Sequence, residues 1–265
     1  MNILKFEIKR NLKSFIIWNV LICAFLALVV TKYTGFADDG SSVSALLDSF
    51  PKQFLAMFGM GRVDISTLSG YFTVVYDYML IILGIYAILL GYRTIIGENE
   101  DRTYEFIYTR PASRYKILTI KILTALLELV VTMILIYLCI NISLKIYNIE
   151  NTMGAGLWVA LNGMFVFALI FFSLTILLCA SIKTKKIRNL AVYGIFFSTY
   201  FIGVIYELAP STKILRIFTP FKYCDSLEII NGEINIYLLL ISYIIIGLSL
   251  FFGLRLFNKS DLKDM

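Results

Sequence analysis

The sequence predicts an all-α integral membrane protein with six transmembrane helices and both termini in the cytoplasm. Three observations carry this. The chain is 59% hydrophobic and only 16% charged, where a typical soluble domain has about 25% charged residues. Apolar runs long enough to cross the hydrocarbon core as helices occur at roughly 15–31, 72–92, 117–140, 157–182, 189–206 and 236–257. The basic residues are also unevenly shared between the loops. With the N-terminus inside, 17 of the 24 Lys and Arg fall on the cytoplasmic side and 7 outside, the expected positive-inside bias. No stretch is long and polar enough for a separate soluble domain, so residues 1–265 read as one transmembrane domain.

Lys5, Lys9, Arg10 and Lys13 precede the first run and could open a signal peptide. No small-residue cleavage site follows the run, which ends at Thr31-Lys32, so it reads as an uncleaved first span. Within residues 2–13, Ile3, Leu4, Phe6, Ile8 and Leu12 alternate with bases. This suits an interfacial helix lying on the inner membrane surface with its lysines snorkelling. Residues 43–58 carry Leu46, Leu47, Phe50, Phe54 and Phe58 at helical spacing, with Pro51 placed to break the helix. They are expected on the outer surface before the second span. The 207–235 loop is too apolar to be free in water. It is expected to pack as short helices or to dip into the bilayer before the last span.

Several function classes drop out. The net charge of +6 follows from the loop bias and needs no nucleic-acid partner. There is no histidine, which removes the commonest general base and metal ligand. Cys23, Cys139, Cys179 and Cys224 are scattered without a CxxC spacing and suit packing roles. No metal, cofactor or catalytic residue set is expected in this chain. No GxxxxGK[ST] loop, GxSxG, HExxH or Gly-rich dinucleotide motif occurs. Tyr76-Asp77 inside a span would suit an intramembrane aspartyl protease. That chemistry needs a second, paired aspartate, and none lies deep in a span.

Between the second and third spans lies a charged stretch, Gly97 to Lys116 (GENEDRTYEFIYTRPASRYK). Glu98, Glu100 and Asp101 lead and Arg110, Arg114 and Lys116 follow, an order that complements a helix dipole. Asn99 or Asp101 could cap its start, and Pro111 would end it. Tyr104, Ile107 and Tyr108 share one face. A short helix here cannot bury that face alone and must lie on lipid or on a partner protein.

This stretch resembles the type 2 ATP-binding-cassette (ABC) transporter permease family, in the branch with the pattern E-x-x-x-G-T-x-x-x-L-x-x-x-P-x-S-R. Glu98, Thr103, Ile107, Pro111, Ser113 and Arg114 stand in register. The chain departs at Arg102, where the family has glycine. Thr219-Pro220-Phe221-Lys222-Tyr223 is similar to a second family element, in the loop before span six. The resemblance implies a permease subunit of an ABC exporter, in the cell membrane (in bacteria, the cytoplasmic membrane). It implies a coupling helix docked on soluble ATPase subunits, which hold ATP and Mg, and a second permease, identical or homologous. On that basis docking falls to Glu98, Glu100, Asp101, Arg102, Thr103, Ile107, Arg110, Pro111 and Arg114. Export of an amphipathic peptide, a drug or a lipid-like molecule is the expected function.

Two acids lie inside spans, Asp77 in the second and Glu128 near the middle of the third. A charge at mid-bilayer costs about 2.5–3.5 kcal/mol on insertion scales, so such residues face the interior, pair or stay protonated. They are candidates for the lining of a translocation path. Alternatively, Glu128 makes an interhelical hydrogen bond, for instance to Asn141, Asn162 or Ser173. A competing function is an ATP-independent, ion-coupled carrier or channel using these two acids; a third is a membrane anchor or sensor.

Overall fold

The structure is a computed structural model that describes residues 3–38, 49–57, 59–60, 67–100, 114–149, 154, 156–209, 213–230 and 232–259. Among these, the α-helices in chain order are α1 (Ile3–Asp38), α2 (Lys52–Met57), α3 (Leu68–Glu100), α4 (Arg114–Ile146), α5 (Gly156–Ser181), α6 (Lys185–Leu208), α7 (Ser226–Ile230) and α8 (Ile236–Lys259). Two 3-10 turns, Lys213–Phe218 and Pro220–Lys222, precede α7. No strand occurs among the described residues.

Six helices, α1, α3, α4, α5, α6 and α8, are long and apolar enough to cross a membrane, and they coincide with the six predicted runs. Several are longer than the runs. The 33 residues of α3 extend about 50 Å at 1.5 Å per residue, well beyond the roughly 30 Å hydrocarbon core. The sequence pattern marks only the part that must be apolar. The rest of each helix continues into the interfacial layers.

The N-terminus differs from expectation. Residues from Ile3 onward do not form a separate surface helix; they are the first turns of the 36-residue α1. The reason lies on one face. Glu7, Asn11, Asn19, Ile22, Leu26 and Val30 are buried and recur at helical spacings along a single stripe. Ile16, Ile17, Val20, Leu21 and Leu28 are exposed. In the N-terminal turns Glu7 and Asn11 point into the bundle, while Lys5, Lys9 and Lys13 stay exposed.

Hydrogen bonds fix which helix ends lie together. At one end Lys121 Nζ donates to Thr94 O at 3.2 Å and Arg188 Nη2 donates to the Tyr92 hydroxyl at 3.3 Å. At the other, the Tyr71 hydroxyl donates to Val29 O at 2.9 Å, and the Thr31 and Tyr147 hydroxyls lie 2.8 Å apart. The first is called the basic end here, and the second, which carries the 3-10 turns and α7, the loop end.

α5 packs most extensively against α3 and α8, and α1 against α4. α3 and α5 are the most enclosed spans, whereas α1, α6 and α8 are the least enclosed. Lipid tails are as apolar as leucine, so these contacts rest on packing and hydrogen bonds rather than on escape from water. Small residues allow the closest approach. A Cβ at Gly91 in α3 would sit 2.9 Å from Phe172 O in α5, so glycine there sets the spacing of the two central helices.

The segments expected on the outer surface are partly within the described residues. Of 43–58, Lys52–Met57 forms α2, starting directly after Pro51, whose carbonyl accepts from Phe54 N at 2.9 Å. Within 207–235, the described residues form the two 3-10 turns and α7.

Candidate functional site

Two buried polar clusters occupy the bundle. The loop-end cluster is organised by residues 219–223, each held by a different contact. Thr219 Oγ1 donates to Thr199 O of α6 at 2.7 Å. Pro220 is buried and opens the second 3-10 turn. Phe221 inserts its ring between α5 and α6, 4.7 Å from Phe167 and 5.5 Å from Phe196 between centroids. Lys222 Nζ pairs with Glu207, and the Tyr223 hydroxyl donates to Ile217 O.

Asp77 of α3 faces this segment. Its Oδ2 accepts from Ser226 Oγ at 3.4 Å. With Glu207, Lys222, Tyr200 and Phe221 it lines a cavity of about 40 Å³, room for about two waters. Gly59, with φ of 67°, closes the wall. A Cβ there would meet Asp77 Oδ2 at 2.8 Å. Burial alone would lower the Lys222 ammonium pKa. The carboxylates of Asp77, Glu207 and Asp225 outweigh it and hold Lys222 above the usual lysine value. A second ion pair, Arg216 to Glu228 at 2.5 Å, ties the 3-10 turns to α7. Arg216 Nε also donates to Lys222 O at 3.0 Å. The cluster therefore fastens the loop to α3 and α6 with both charge and aromatic packing.

The second cluster lies between α1, α3 and α4. Asn11 Nδ2 donates to Glu128 Oε1 at 2.9 Å. Glu7, also buried, pairs with Arg10 at 2.7 Å. Glu128 Oε2 is buried with no hydrogen-bond partner among the described residues. Asn11 is not one of the partners suggested by the sequence. Asn141, Asn162 and Ser173 instead bond carbonyls of their own helices, Tyr137 O, Trp158 O and Ile170 O. Short polar side chains in a long helix have a carbonyl one turn back always within reach, and that local bond wins. Nearer the basic end, Arg188 is buried and donates from Nη1 to Ile182 O at 3.3 Å. Its guanidinium also lies 5.4 Å from the Tyr92 ring centroid. It thereby satisfies a carbonyl left open where α5 ends and joins α3 to α6.

Asp77 and Glu128 thus occupy separate clusters. Of the proposed docking residues, Glu98 and Glu100 lie on the last turn of α3 and Arg114 opens α4. Their side chains, and all of Asp101, Arg102, Thr103, Ile107, Arg110 and Pro111, fall outside the described residues. Sequence reasoning missed Asn11, Glu207 and the inward role of Arg188. The i, i+4 spacing of Glu7 and Asn11, aligned with the apolar stripe that follows, was the available signal for the first.

No group of three His, Cys, Asp or Glu among the described residues is placed to hold a metal ion. No curated protein matches the chain. The family model described as ABC-2 family transporter protein matches residues 1–262. With that match over nearly its whole length and six membrane-spanning helices, the chain belongs to the ABC-2 family, as a multi-pass permease component of an ABC transporter rather than its catalyst.

Proposed function

We propose that the chain is half of the translocation path of an ABC exporter in the bacterial cytoplasmic membrane. It works beside a second permease, identical or homologous, and is driven by separate ATPase subunits that bind ATP and Mg. The observation that carries this reading is the family match over residues 1–262. Geometry supports it, since α3 ends at Glu100 and α4 begins at Arg114, and both of these helix ends lie at the basic end. The positive-inside bias puts that end in the cytoplasm, where a soluble ATPase can dock on Glu98, Glu100, Asp101, Arg102, Thr103, Ile107, Arg110, Pro111 and Arg114. The cargo class is an amphipathic peptide, a drug or a lipid-like molecule, and Asp77 and Glu128 are the candidate polar groups on its path.

The ion-coupled carrier reading draws on the second oxygen of Glu128, which lacks a hydrogen bond among the described residues. It is the weaker reading because Asp77 and Glu128 bond different elements, Ser226 and Asn11. Copurification with a phosphate-loop ATPase encoded beside this chain, followed by vesicle flux, separates the two. The ABC reading expects flux only with ATP and hydrolysis stimulated by substrate. Flux driven by a pH gradient without ATP overturns it.

A further inference from the structure

An apolar groove of about 440 Å³ opens between α4 and α5. Val130, Met133, Ile134 and Leu138 form one wall and Leu161 and Phe165 the other. At its margin, Trp158 stacks on Tyr137 with centroids 4.6 Å apart. Trp158 and Asn162 also line a second pocket, of about 240 Å³, between α5, the loop-end turns and α8. The two spaces differ in chemistry. The first is walled by hydrocarbon. The second is lined by Glu228, Glu233, Tyr223, Tyr243 and Trp158, with no Lys or Arg in its lining among the described residues. Arg216 approaches Glu228 from outside that lining, and Glu233 is exposed.

We infer that these adjoining spaces form one binding site for a single-chain cationic amphiphile, with its tail in the α4–α5 groove and its ammonium head in the loop-end pocket. This rests on the export reading and names the class of cargo. The tail compartment lies on the face of two membrane-spanning helices, so an occupant can enter sideways from the leaflet. The head compartment offers carboxylates together with aromatic faces, the combination that attracts alkylammonium groups. A phosphate or sulfate head would meet the Glu233 carboxylate, while the Arg216 guanidinium is already paired with Glu228. An ordinary anionic or zwitterionic lipid therefore fits less well than a cationic amphiphile.

The chain has two tryptophans, Trp18 and Trp158. A Trp18→Phe variant leaves Trp158, at the junction of the two spaces, as the sole reporter. The full chain in zwitterionic lipid vesicles, without ATPase or ATP, is titrated with a tail-brominated dodecyltrimethylammonium and, separately, with the matching brominated dodecyl sulfate. Saturable quenching is expected, with half-saturation about tenfold lower for the ammonium, the ratio for about 1.4 kcal/mol. Glu233→Lys should remove most of that preference. Ile134→Phe, at an exposed position in the groove, should weaken both probes. Equal quenching by both probes, or a non-saturating rise that reflects bulk partition, overturns the proposal. An unchanged preference in Glu233→Lys overturns the assigned head pocket. Because no ATPase is present, a failed export reading leaves this result untouched, and a failed titration leaves ATPase docking untouched.

Discussion

Lys222 and Glu128 are both ionisable side chains held inside the bundle, but they are balanced differently. Lys222 sits among carboxylates: it pairs with Glu207 and faces Asp77 and Asp225. The surrounding segment is also locked by Thr219 and Phe221. Glu128 accepts an amide bond from Asn11, has the Tyr86 hydroxyl beside it, and makes no ion pair among the described residues. The first arrangement suits a fixed anchor, since removing either partner strands a buried charge. The second suits a group that can change protonation or partner during a transport cycle. The loop end is thus the more heavily braced of the two clusters.

The sharpest way to break this contrast is to remove the cation from the loop-end cluster. Lys222→Met should cost about 3–5 kcal/mol, the usual penalty for leaving a buried charge without its partner, read as a lowered thermal midpoint in detergent. Adding Glu207→Gln should recover part of the loss. If Lys222→Met is neutral, the bracing is not electrostatic. Phe221→Ala should come next, at about 3 kcal/mol for a large ring removed from a packed aromatic cluster. Gly91→Ala tests the central helix pair; its Cβ meets Phe172 O, and crowding of this kind costs about 1–3 kcal/mol.

Glu128→Gln should barely move stability, because an amide still accepts from Asn11. It should change transport or its pH dependence. If transport and its pH profile are both unaltered, Glu128 is structural. The smallest effect concerns pH. Lys222 has a folded-state pKa above its ordinary value. Its stabilisation is therefore complete below about pH 10, the unfolded lysine range, and is lost only as pH rises through the raised value. A thermal midpoint that falls between neutrality and about pH 9 because of this group, absent in Lys222→Met, would contradict the electrostatic bracing.

The six spans were legible because a helix crossing lipid must be apolar over about 20 residues. Their full lengths were not, because past the hydrocarbon core that requirement ends, as the final turns of α3 show. Residues 219–223 could be singled out in the sequence, but not their partners. Asp77 and Ser226 are 149 residues apart, and Asn11 and Glu128 are 117 apart. No local periodicity encodes such pairs. The N-terminal turns were misplaced because their bases suggested a surface helix, while the stripe through Glu7, Asn11 and Asn19 faced inward. The charged stretch between α3 and α4 is a proposed docking site argued from sequence.

That stretch also offers the most direct test of ATPase coupling. Glu100→Lys with Asp101→Lys should leave membrane insertion unchanged, abolish copurification of the ATPase and stop ATP-driven export. Persistence of both ATPase capture and transport in this variant would contradict the assignment of residues 98–114 as the docking site.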